Sequence, residues 1–301
     1  MQTTRWRWLA ALVLALGAMT VTACGDDEEK PGAADKAKTA ATNAVQAAAA
    51  GTTMKKLQDK HEMTVGVKFD VPPFGFKDTS GKVQGFDIDL AQAIADALGV
   101  KPKYIEALSD NRIAFLKDGT ADLILSTMTI TPERDEEIDF STPYFIAKGR
   151  ILVKKDDTSI KGIADLAGKN VCTALGSTYE ETLKKQAPKA KLRLVDAYSE
   201  CLELIQNGGV DAVSTDDVIL TGMIRQDDTL KLVGDDLTTE PYGAGIKQGD
   251  KAFKAFVNGV IAKYKADGRW ATAYQKWVGQ YTGEKQDPPK MTLQEALDLG
   301  T

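Results

Sequence analysis

Residues 127–145 read T-M-T-I-T-P-E-R-D-E-E-I-D-F-S-T-P-Y-F, and this run is the most informative part of the sequence. It follows a short apolar run and predicts a helix with Thr131 as its cap and Pro132 in its first turn. Arg134 then lies in the first turn, where a cation opposes the helix dipole by about 0.3–1 kcal/mol. Either the four acids within residues 133–137 offset that cost, or Arg134 faces an anion.

Outward from this stretch, β-rich runs alternate with helical patterns from Met63 onward, which predicts an α/β fold of sheets flanked by helices. The predicted strands are residues 64–69, 103–107, 123–126, 151–153, 170–173, 192–195 and 211–214. Apolar spacing predicts a helix over residues 88–98 that stops at Gly99. Asp250 is placed to cap a later helix, and a further apolar stripe after it predicts four core positions, Trp270, Ala273, Tyr274 and Trp277.

The N-terminus has the features of an export signal. Two arginines precede an apolar run at residues 8–18 that is too short to span a bilayer comfortably. The residues V-T-A-C that end at Cys24 resemble the lipobox of bacterial lipoproteins, which predicts a signal peptide over residues 1–24 and an acylated Cys24. The alternative is an ordinary signal peptide with an incidental cysteine. Residues 25–53 contain no aromatic side chain and predict a flexible stalk.

Composition and cysteine usage narrow the class of protein. The net charge of -5 comes without a basic stripe, which argues against nucleic acid as a partner. Export favours a disulfide between Cys172 and Cys201, with two buried free thiols as the alternative. Residues 283–301 are polar with a Pro-Pro pair and predict a loosely attached tail.

Three motifs in order carry a family resemblance. Residues 72–76 read P-P-F-G-F, residues 85–90 read G-F-D-I-D-L, and residues 127–145 follow. Together they resemble the amino-acid-binding receptors of ABC importers, solute-binding protein family 3, over residues 63–280.

The resemblance implies a type II periplasmic-binding-protein clamp of two lobes, each a sheet flanked by helices, joined by a two-strand hinge. Lobe one would comprise residues 54–151 and 244–282, and lobe two residues 152–243. The hinge crossings would lie near residues 148–153 and 242–246.

The family's contacts with the head group of the ligand map onto both lobes. From lobe one, Arg134 matches the arginine that pairs with the α-carboxylate, and Thr127 and Thr129 match hydroxyl and backbone partners. From lobe two, Thr178 matches a carboxylate contact and Asp216 the acid that accepts the α-ammonium. Two neighbours are interpreted as helix caps: Ser177, in a capping box with Glu180, and Asp217, which could instead exchange roles with Asp216.

Side-chain specificity is predicted from the stretch S-D-N-R at residues 109–112, which resembles that of glutamate and aspartate binders. There Ser109 and Arg112 would meet the side-chain carboxylate together with Lys68. The three cations Lys68, Arg112 and Arg134 exceed Asp216 by two charges, which suits a ligand with two carboxylates. The alternative is that Lys68 and Arg112 face solvent. Two positions depart from the pattern: Val71 replaces an aromatic residue, and Tyr198 a histidine.

The resemblance implies a substrate-binding lipoprotein on the extracytoplasmic face of the membrane. We expect it to be a monomer that binds glutamate first and aspartate second by hinge closure and to serve a permease and its ATPase, without a metal, a cofactor or nucleic acid. Glutamine or another polar amino acid is the alternative ligand. The rival functions are a sensory lipoprotein and a cyclohexadienyl-type dehydratase, but His61 is the only histidine and no catalytic constellation stands out, so no enzyme is expected.

Overall fold

The computed structural model describes residues 52–300. Their helices are α1 Thr53–Lys60, α2 Phe86–Leu98, α3 Arg112–Asp118, α4 Pro132–Asp135, α5 Thr178–Gln186, α6 Tyr198–Gln206, α7 Asp217–Gln226, α8 Lys251–Ala266, α9 Arg269–Tyr274, α10 Gln280–Thr282 and α11 Leu293–Asp298. The strands are β1 Glu62–Val67, β2 Asp70–Val71, β3 Gly75–Lys77, β4 Val83–Gln84, β5 Lys101–Glu106, β6 Leu123–Ile124, β7 Asp139–Phe140, β8 Phe145–Lys154, β9 Asn170–Ala174, β10 Lys191–Val195, β11 Ala212–Asp216, β12 Leu230–Val233, β13 Thr239–Tyr242 and β14 Gly245–Ile246.

Two mixed sheets define two lobes. The first has the strand order β5-β1-β6-β14-β7, with β1 parallel to both β5 and β6 and with β14 antiparallel to its neighbours. The second has the order β10-β9-β11-β8-β12, in which β8 runs antiparallel to β11 and β12. Because β14 follows the whole second sheet in the chain, the chain leaves the first sheet and returns to it. The strands of the second sheet therefore come from a segment that lies between β7 and β14 of the first.

The strands β8 and β13 form the connection between the lobes. Phe145 pairs with Tyr242 and Lys148 with Thr239, and the rest of β8 then enters the second sheet. The predicted crossings at residues 148–153 and 242–246 share only Lys148 and Tyr242 with this ladder. The lobe boundaries drawn at residues 151 and 244 stay predictions.

All seven predicted strands coincide with observed ones to within a few residues, except that β8 begins six residues before the predicted segment at 151–153. The strands that the sequence did not predict are two to four residues long: β2, β3, β4, β7, β12, β13 and β14. So few residues give too little alternation to distinguish a strand from a loop.

The helix ends follow the predicted signals. The helix α2 starts at Phe86, two residues earlier than predicted, and Gly99 ends it with a φ of 78°. The Asp250 side chain accepts a hydrogen bond from the Phe253 amide at 3.0 Å, as a cap does.

The first lobe has an aromatic core. The four predicted core positions at residues 270–277 are buried, and the Trp270 indole N–H donates to the Tyr144 carbonyl at 2.7 Å. Edge and stacked ring contacts join Phe74, Phe145 and Tyr242, which lie at the meeting point of the first sheet and the hinge strands. This aromatic packing holds the first residue of β8 and the last residue of β13 against the first lobe.

The C-terminal segment is docked, so the prediction of a loosely attached tail over residues 283–301 is wrong for the described part up to residue 300. Thr292 and Glu295 form a capping box that starts α11. Ala296 is buried in a cluster with Met128 and Ile130, to which Leu297 adds a partly buried contact. The prediction failed because the composition of this segment is polar on average, although one face of the short helix α11 is apolar.

In the second lobe, a disulfide joins Cys172 on β9 to Cys201 on α6. At the other end of the chain, α1 starts at Thr53, inside the predicted stalk, and buries Met54 and Leu57 in the first lobe. Cys24, the predicted signal peptide and most of the stalk lie outside the described residues. None of the helices described in residues 52–300 is long and apolar enough to cross a membrane.

Candidate functional site

The turn from β6 into α4 is built as its sequence predicts. Thr131 caps the helix by accepting a hydrogen bond from the Arg134 amide at 3.3 Å, and Pro132 occupies the first turn. The Arg134 side chain then reaches away from its own helix. Its Nη1 donates to the Thr129 carbonyl at 2.8 Å, and its Nη2 donates to the Gly176 carbonyl at 3.0 Å. The guanidinium thus joins the two lobes.

The acids next to Arg134 do not neutralise it. Within residues 52–300, no carboxylate lies within the 4.0 Å ion-pair distance of its guanidinium. Burial lowers the pKa of Arg134, and the Glu240 carboxylate opposes that effect. The salt-bridge interpretation of the acids within residues 133–137 is therefore not what the structure shows.

Gly176 lets the lobes meet at this point. Its φ is 70°, and a Cβ at this position would lie 2.6 Å from the Asp110 Cα in the first lobe. A larger residue here would both strain the backbone and separate the lobes.

The loop between β6 and α4 in the first lobe contains a strained residue. Thr127 has a φ of 44°, a conformation that β-branched residues rarely adopt. Its amide donates to Asp87 Oδ2 at 2.9 Å, and the other oxygen of Asp87 accepts from the Tyr144 hydroxyl at 2.8 Å. These bonds hold the loop against α2 and compensate for the strain.

Lys68, Ser109 and Arg112 form a buried basic corner. The Lys68 Nζ donates to Ser109 Oγ at 2.9 Å, and the Lys68 side chain is 1% exposed. The Arg112 guanidinium, 2% exposed, donates to the carbonyls of Ser109 at 3.1 Å and Ser126 at 2.9 Å and, more weakly, to that of Thr127 at 3.3 Å. The alternative that Lys68 and Arg112 face solvent is therefore wrong.

Burial and a neighbouring guanidinium destabilise the charged form of each cation in this corner. Burial, and then the Arg112 charge, lower the pKa of Lys68 to about 7. Burial, and then the Arg134 charge, lower the pKa of Arg112 to about 9. In residues 52–300, no carboxylate lies within ion-pair distance of Lys68 or Arg112. A negatively charged group brought to this corner would stabilise both charged forms.

The start of α5 differs in detail from the predicted capping box. Ser177 occupies the cap position, but its hydroxyl lies 3.3 Å from Thr173 Oγ1 and makes no capping hydrogen bond. Glu180 instead accepts from the Gly176 amide at 3.3 Å. The predicted cap role of the Ser177 side chain is wrong. Thr178, the predicted ligand contact, donates from Oγ1 to Glu240 at 2.9 Å.

The acids at the end of β11 have separate partners. Asp216 is 4% exposed and accepts from the Tyr179 hydroxyl at 2.8 Å, without a side-chain cap on α7. Asp217 accepts from the amides of Lys148 and Val218. Burial, and then the nearby Glu240 charge, raise the pKa of Asp216 well above its usual value. The Asp217 carboxylate thus accepts hydrogen bonds from backbone amides, whereas the Asp216 carboxylate faces buried side chains.

Glu240 is the residue that the sequence analysis missed. It lies on β13 and is 3% exposed, and its Oε2 accepts from both Thr129 Oγ1 and Thr178 Oγ1. The charge count made from the sequence omitted this buried acid, so its excess of two positive charges is one too high. The sequence offered only a weak sign of this role, a single glutamate next to Pro241 in a strand of four residues that was not itself predicted.

Both departures from the family pattern lie at this interface. Val71, from the first lobe, is buried in the core cluster of the second lobe. Tyr198 is buried, with its ring centroid 5.8 Å from Lys68 Nζ. Each position therefore joins the lobes, although neither carries the residue type that the pattern predicts.

The eight predicted ligand residues fall into two bonded groups and one separate acid. Lys68, Ser109, Arg112 and Thr127 form the basic corner with its carbonyl acceptors. The second group consists of Thr129, Arg134 and Thr178. Glu240 and the Gly176 carbonyl connect these residues across the two lobes. Asp216 is the separate acid, and its hydrogen-bond partner is the Tyr179 hydroxyl.

A cavity of about 300 Å³ lies elsewhere between the lobes, lined by residues that include Pro72, Phe76, Val218, Arg225, Trp277 and Tyr281. None of the eight predicted residues lines it. Within residues 52–300, no group of three or more His, Cys, Asp or Glu side chains could hold a metal ion.

Comparison with known proteins places the chain among binding proteins. A model of bacterial extracellular solute-binding proteins, family 3, matches residues 63–280. The chain is 39% identical over 241 residues to the "ABC transporter glutamine-binding protein GlnH" of Bacillus subtilis, across 78% of this chain and 86% of that protein. It is 30% identical over 289 residues to the "Glutamate-binding protein GluB" of Corynebacterium efficiens, across 91% and 90% of the two chains.

Solved structures agree in fold. One described as "An ancestral arginine-binding protein bound to glutamine" matches with a TM-score of 0.70 at 41% identity and covers 73% of this chain and 98% of that chain.

Proposed function

The chain belongs to family 3 of the bacterial extracellular solute-binding proteins, and on that premise we propose that it binds an acidic amino acid, with L-glutamate preferred over L-aspartate. It is a substrate-binding protein of an ABC amino-acid importer, and it acts by binding rather than by catalysis. The preference for glutamate is the finer proposal.

The basic corner carries this proposal. Two buried cations meet at Ser109, where Lys68 donates to its hydroxyl and Arg112 to its carbonyl, and neither has a carboxylate within ion-pair distance in the described chain. Desolvating such charges costs several kcal/mol unless an anion compensates them. A side-chain carboxylate supplies that anion, whereas a neutral amide leaves the charges unbalanced. Glutamate is therefore favoured over glutamine.

Glutamine is the second candidate because three observations favour it. Arg112 Nε and Nη1 already donate to three backbone carbonyls, so part of its bonding capacity is used within the protein. In addition, the relative from Bacillus subtilis is named as a glutamine-binding protein. A Lys68 amine with a pKa of about 7 can also approach an amide in its neutral form.

The rest of the ligand shell is proposed from the two lobes. Arg134 would bind the α-carboxylate together with the first-turn amides of α5, which no side chain caps. Asp216 would bind the α-ammonium. Closure of the lobes on β8 and β13 would complete the site.

Attachment to the membrane is a separate proposal. An acyl group on Cys24 and the stalk after it would keep the receptor beside its permease, with two or more chains needed for a firm anchor. Incorporation of labelled fatty acid that disappears in Cys24→Ser would support the anchor, and labelling that persists in that variant would refute it.

Calorimetric titration with the twenty L-amino acids tests the specificity. We expect glutamate to bind at least about 100-fold more tightly than glutamine, because glutamine leaves the corner charges unpaired. Arg112→Ala should weaken glutamate far more than glutamine, whereas the exposed Arg269→Ala is the control and should change neither. A wild-type preference for glutamine, a basic or an apolar amino acid would overturn the proposal of glutamate.

A further inference from the structure

Glu240 joins a hydroxyl group from each lobe. Its Oε2 accepts hydrogen bonds from Thr129 Oγ1 at 2.7 Å and from Thr178 Oγ1 at 2.9 Å. Thr129 belongs to the loop before α4 in the first lobe, and Thr178 opens α5 in the second. Glu240 itself lies on the hinge strand β13. One carboxylate oxygen therefore joins a side chain of the first lobe to a side chain of the second.

The direction of these hydrogen bonds limits what the two hydroxyls can do next. A threonine hydroxyl has one hydrogen and two lone pairs. Because Glu240 Oε2 accepts both hydrogen bonds, both hydroxyl hydrogens are committed to it. Thr129 Oγ1 and Thr178 Oγ1 are left as acceptors only. An α-ammonium group offers three hydrogens, whereas an α-carboxylate offers none, so the two oxygens suit the ammonium and not the carboxylate.

The surrounding charges agree with this polarity. Asp216 is buried close enough to Glu240 for the two carboxylates to repel each other, and this repulsion adds to the effect of burial in raising the pKa of Asp216. A cation between two buried acids relieves that repulsion. The Arg134 guanidinium is directed toward the carbonyls of Thr129 and Gly176 instead.

We propose that Glu240 is a positioning residue that orients the hydroxyls of Thr129 and Thr178 as acceptors for the ligand's α-ammonium. Glu240 thereby selects α-amino acids over otherwise similar acids that lack the amine. This inference rests on the proposed function, because it needs an amino acid in the site, but it holds for glutamate and glutamine alike. It moves the Thr178 hydroxyl from the predicted carboxylate contact to the α-ammonium, and it assigns the Thr129 hydroxyl to the same group.

The test compares each amino acid with its counterpart that lacks the α-amino group. Calorimetry would measure L-glutamate against glutarate, and L-glutamine against 4-carbamoylbutanoate, for the wild-type protein and for Glu240→Leu. In the variant the two hydroxyls are free to rotate and donate. We expect the ratio of affinities, amino acid over deaminated analogue, to fall at least about tenfold, the typical contribution of one charge-assisted hydrogen bond.

Three further variants separate orientation from a general loss of structure. Glu240→Gln keeps an acceptor oxygen and should restore most of the ratio. The double substitution Thr129→Val and Thr178→Val should lower the ratio as Glu240→Leu does, with no further loss when all three changes are combined. The exposed Glu133→Leu is the matched control and should leave the ratio unchanged.

Each result decides the matter. An unchanged ratio in folded Glu240→Leu overturns this inference alone, and so does a tighter binding of glutamate by that variant, since Glu240 would then compete with the ligand. If Glu240→Leu does not fold, the double valine variant supplies the same comparison. A wild-type protein that binds neither amino acid overturns the proposed function, and this inference with it.

Discussion

Among single residues, Lys68 depends most on its surroundings. Burial lowers its pKa to about 7, with the Arg112 charge as the second cause and Arg134 as a smaller one, while Asp70 and Glu106 oppose the shift. Near pH 7, the charged and neutral forms of Lys68 therefore exist side by side when no ligand is bound. A ligand carboxylate would raise this pKa again, because an opposite charge favours the ammonium form.

This residue predicts a pH dependence that distinguishes the two candidate ligands. Below about pH 7, Lys68 is already charged, so the affinity for glutamate is at its greatest there. As the pH rises above 7, binding must take up a proton, and the ratio of glutamate to glutamine affinity should fall by up to about tenfold per pH unit. Taking the ratio removes the titration of Asp216, which both ligands share.

Titration calorimetry between pH 6 and pH 9 measures this ratio. Lys68→Met should flatten the dependence, while the exposed Lys60→Met should leave it unchanged. A ratio that stays constant with pH in the wild-type protein would show that Lys68 does not meet the ligand carboxylate.

Among the elements, the helix α7 packs closely against the first lobe at Gly222. A Cβ on Gly222 would lie 1.9 Å from the Pro72 carbonyl oxygen, a distance that neither backbone can accommodate without moving. The second lobe can therefore reach this position only because residue 222 has no side chain.

Gly222→Ala should uncouple stability from binding. The alanine favours the helix by about 1 kcal/mol and so leaves the ligand-free protein at least as stable. It also prevents full closure, so we expect at least about a tenfold loss of affinity for the amino acid. Thermal unfolding and calorimetry on the same samples would measure both effects. Thr221→Ala, one position earlier on α7, is the control and should bind nearly normally; equal affinity in Gly222→Ala would contradict the closed contact.

The helix α11 supports the loop that carries the candidate site. Ala296 is 1% exposed and shares a cluster with Met128 and Ile130, which flank Thr129. A buried charge at residue 296 would force the helix off this surface.

Ala296→Asp should lower the unfolding midpoint by roughly 4–8 °C if docking of α11 stabilises the protein by about 2 kcal/mol. We also expect weaker ligand binding, because the loop loses its support. The exposed Gln294→Asp on the same helix is the matched control in a thermal scan. An unchanged midpoint in Ala296→Asp would mean that α11 contributes nothing to stability.

On the scale of the whole molecule, the described chain adopts one closed arrangement. Besides Arg134 and Glu240, the Ser199 amide of the second lobe donates to Asp70 Oδ2 of the first at 3.0 Å. The side of the second lobe that receives this contact is α6, which the disulfide holds to β9.

Removing the disulfide should therefore affect both stability and closure. The two cysteines are 29 residues apart, a loop for which chain entropy predicts roughly 3–4 kcal/mol of stabilisation. The double variant Cys172→Ala and Cys201→Ala should unfold at a lower temperature and bind the amino acid less tightly. Differential scanning calorimetry with and without glutamate measures both, and an unchanged unfolding temperature would contradict the prediction.

Several local features of this protein follow from its sequence alone. The cap at Thr131, the end of α2 at Gly99 and the buried stripe after Gly268 depend on residues three or four positions apart, so their patterns can be seen in the sequence. The motifs at residues 72–76, 85–90 and 127–145 likewise indicated the family that the comparison identifies.

Only the tertiary structure decided the partners within the candidate site. Glu240 lies 111 residues from Thr129 and 62 from Thr178, and Lys68 lies 41 from Ser109. No local pattern encodes such pairs, because they form only after two lobes have folded and closed on each other. The burial that lowers the pKa of Lys68 arises in the same way, since desolvation depends on every segment that surrounds a group and not on its neighbours in sequence.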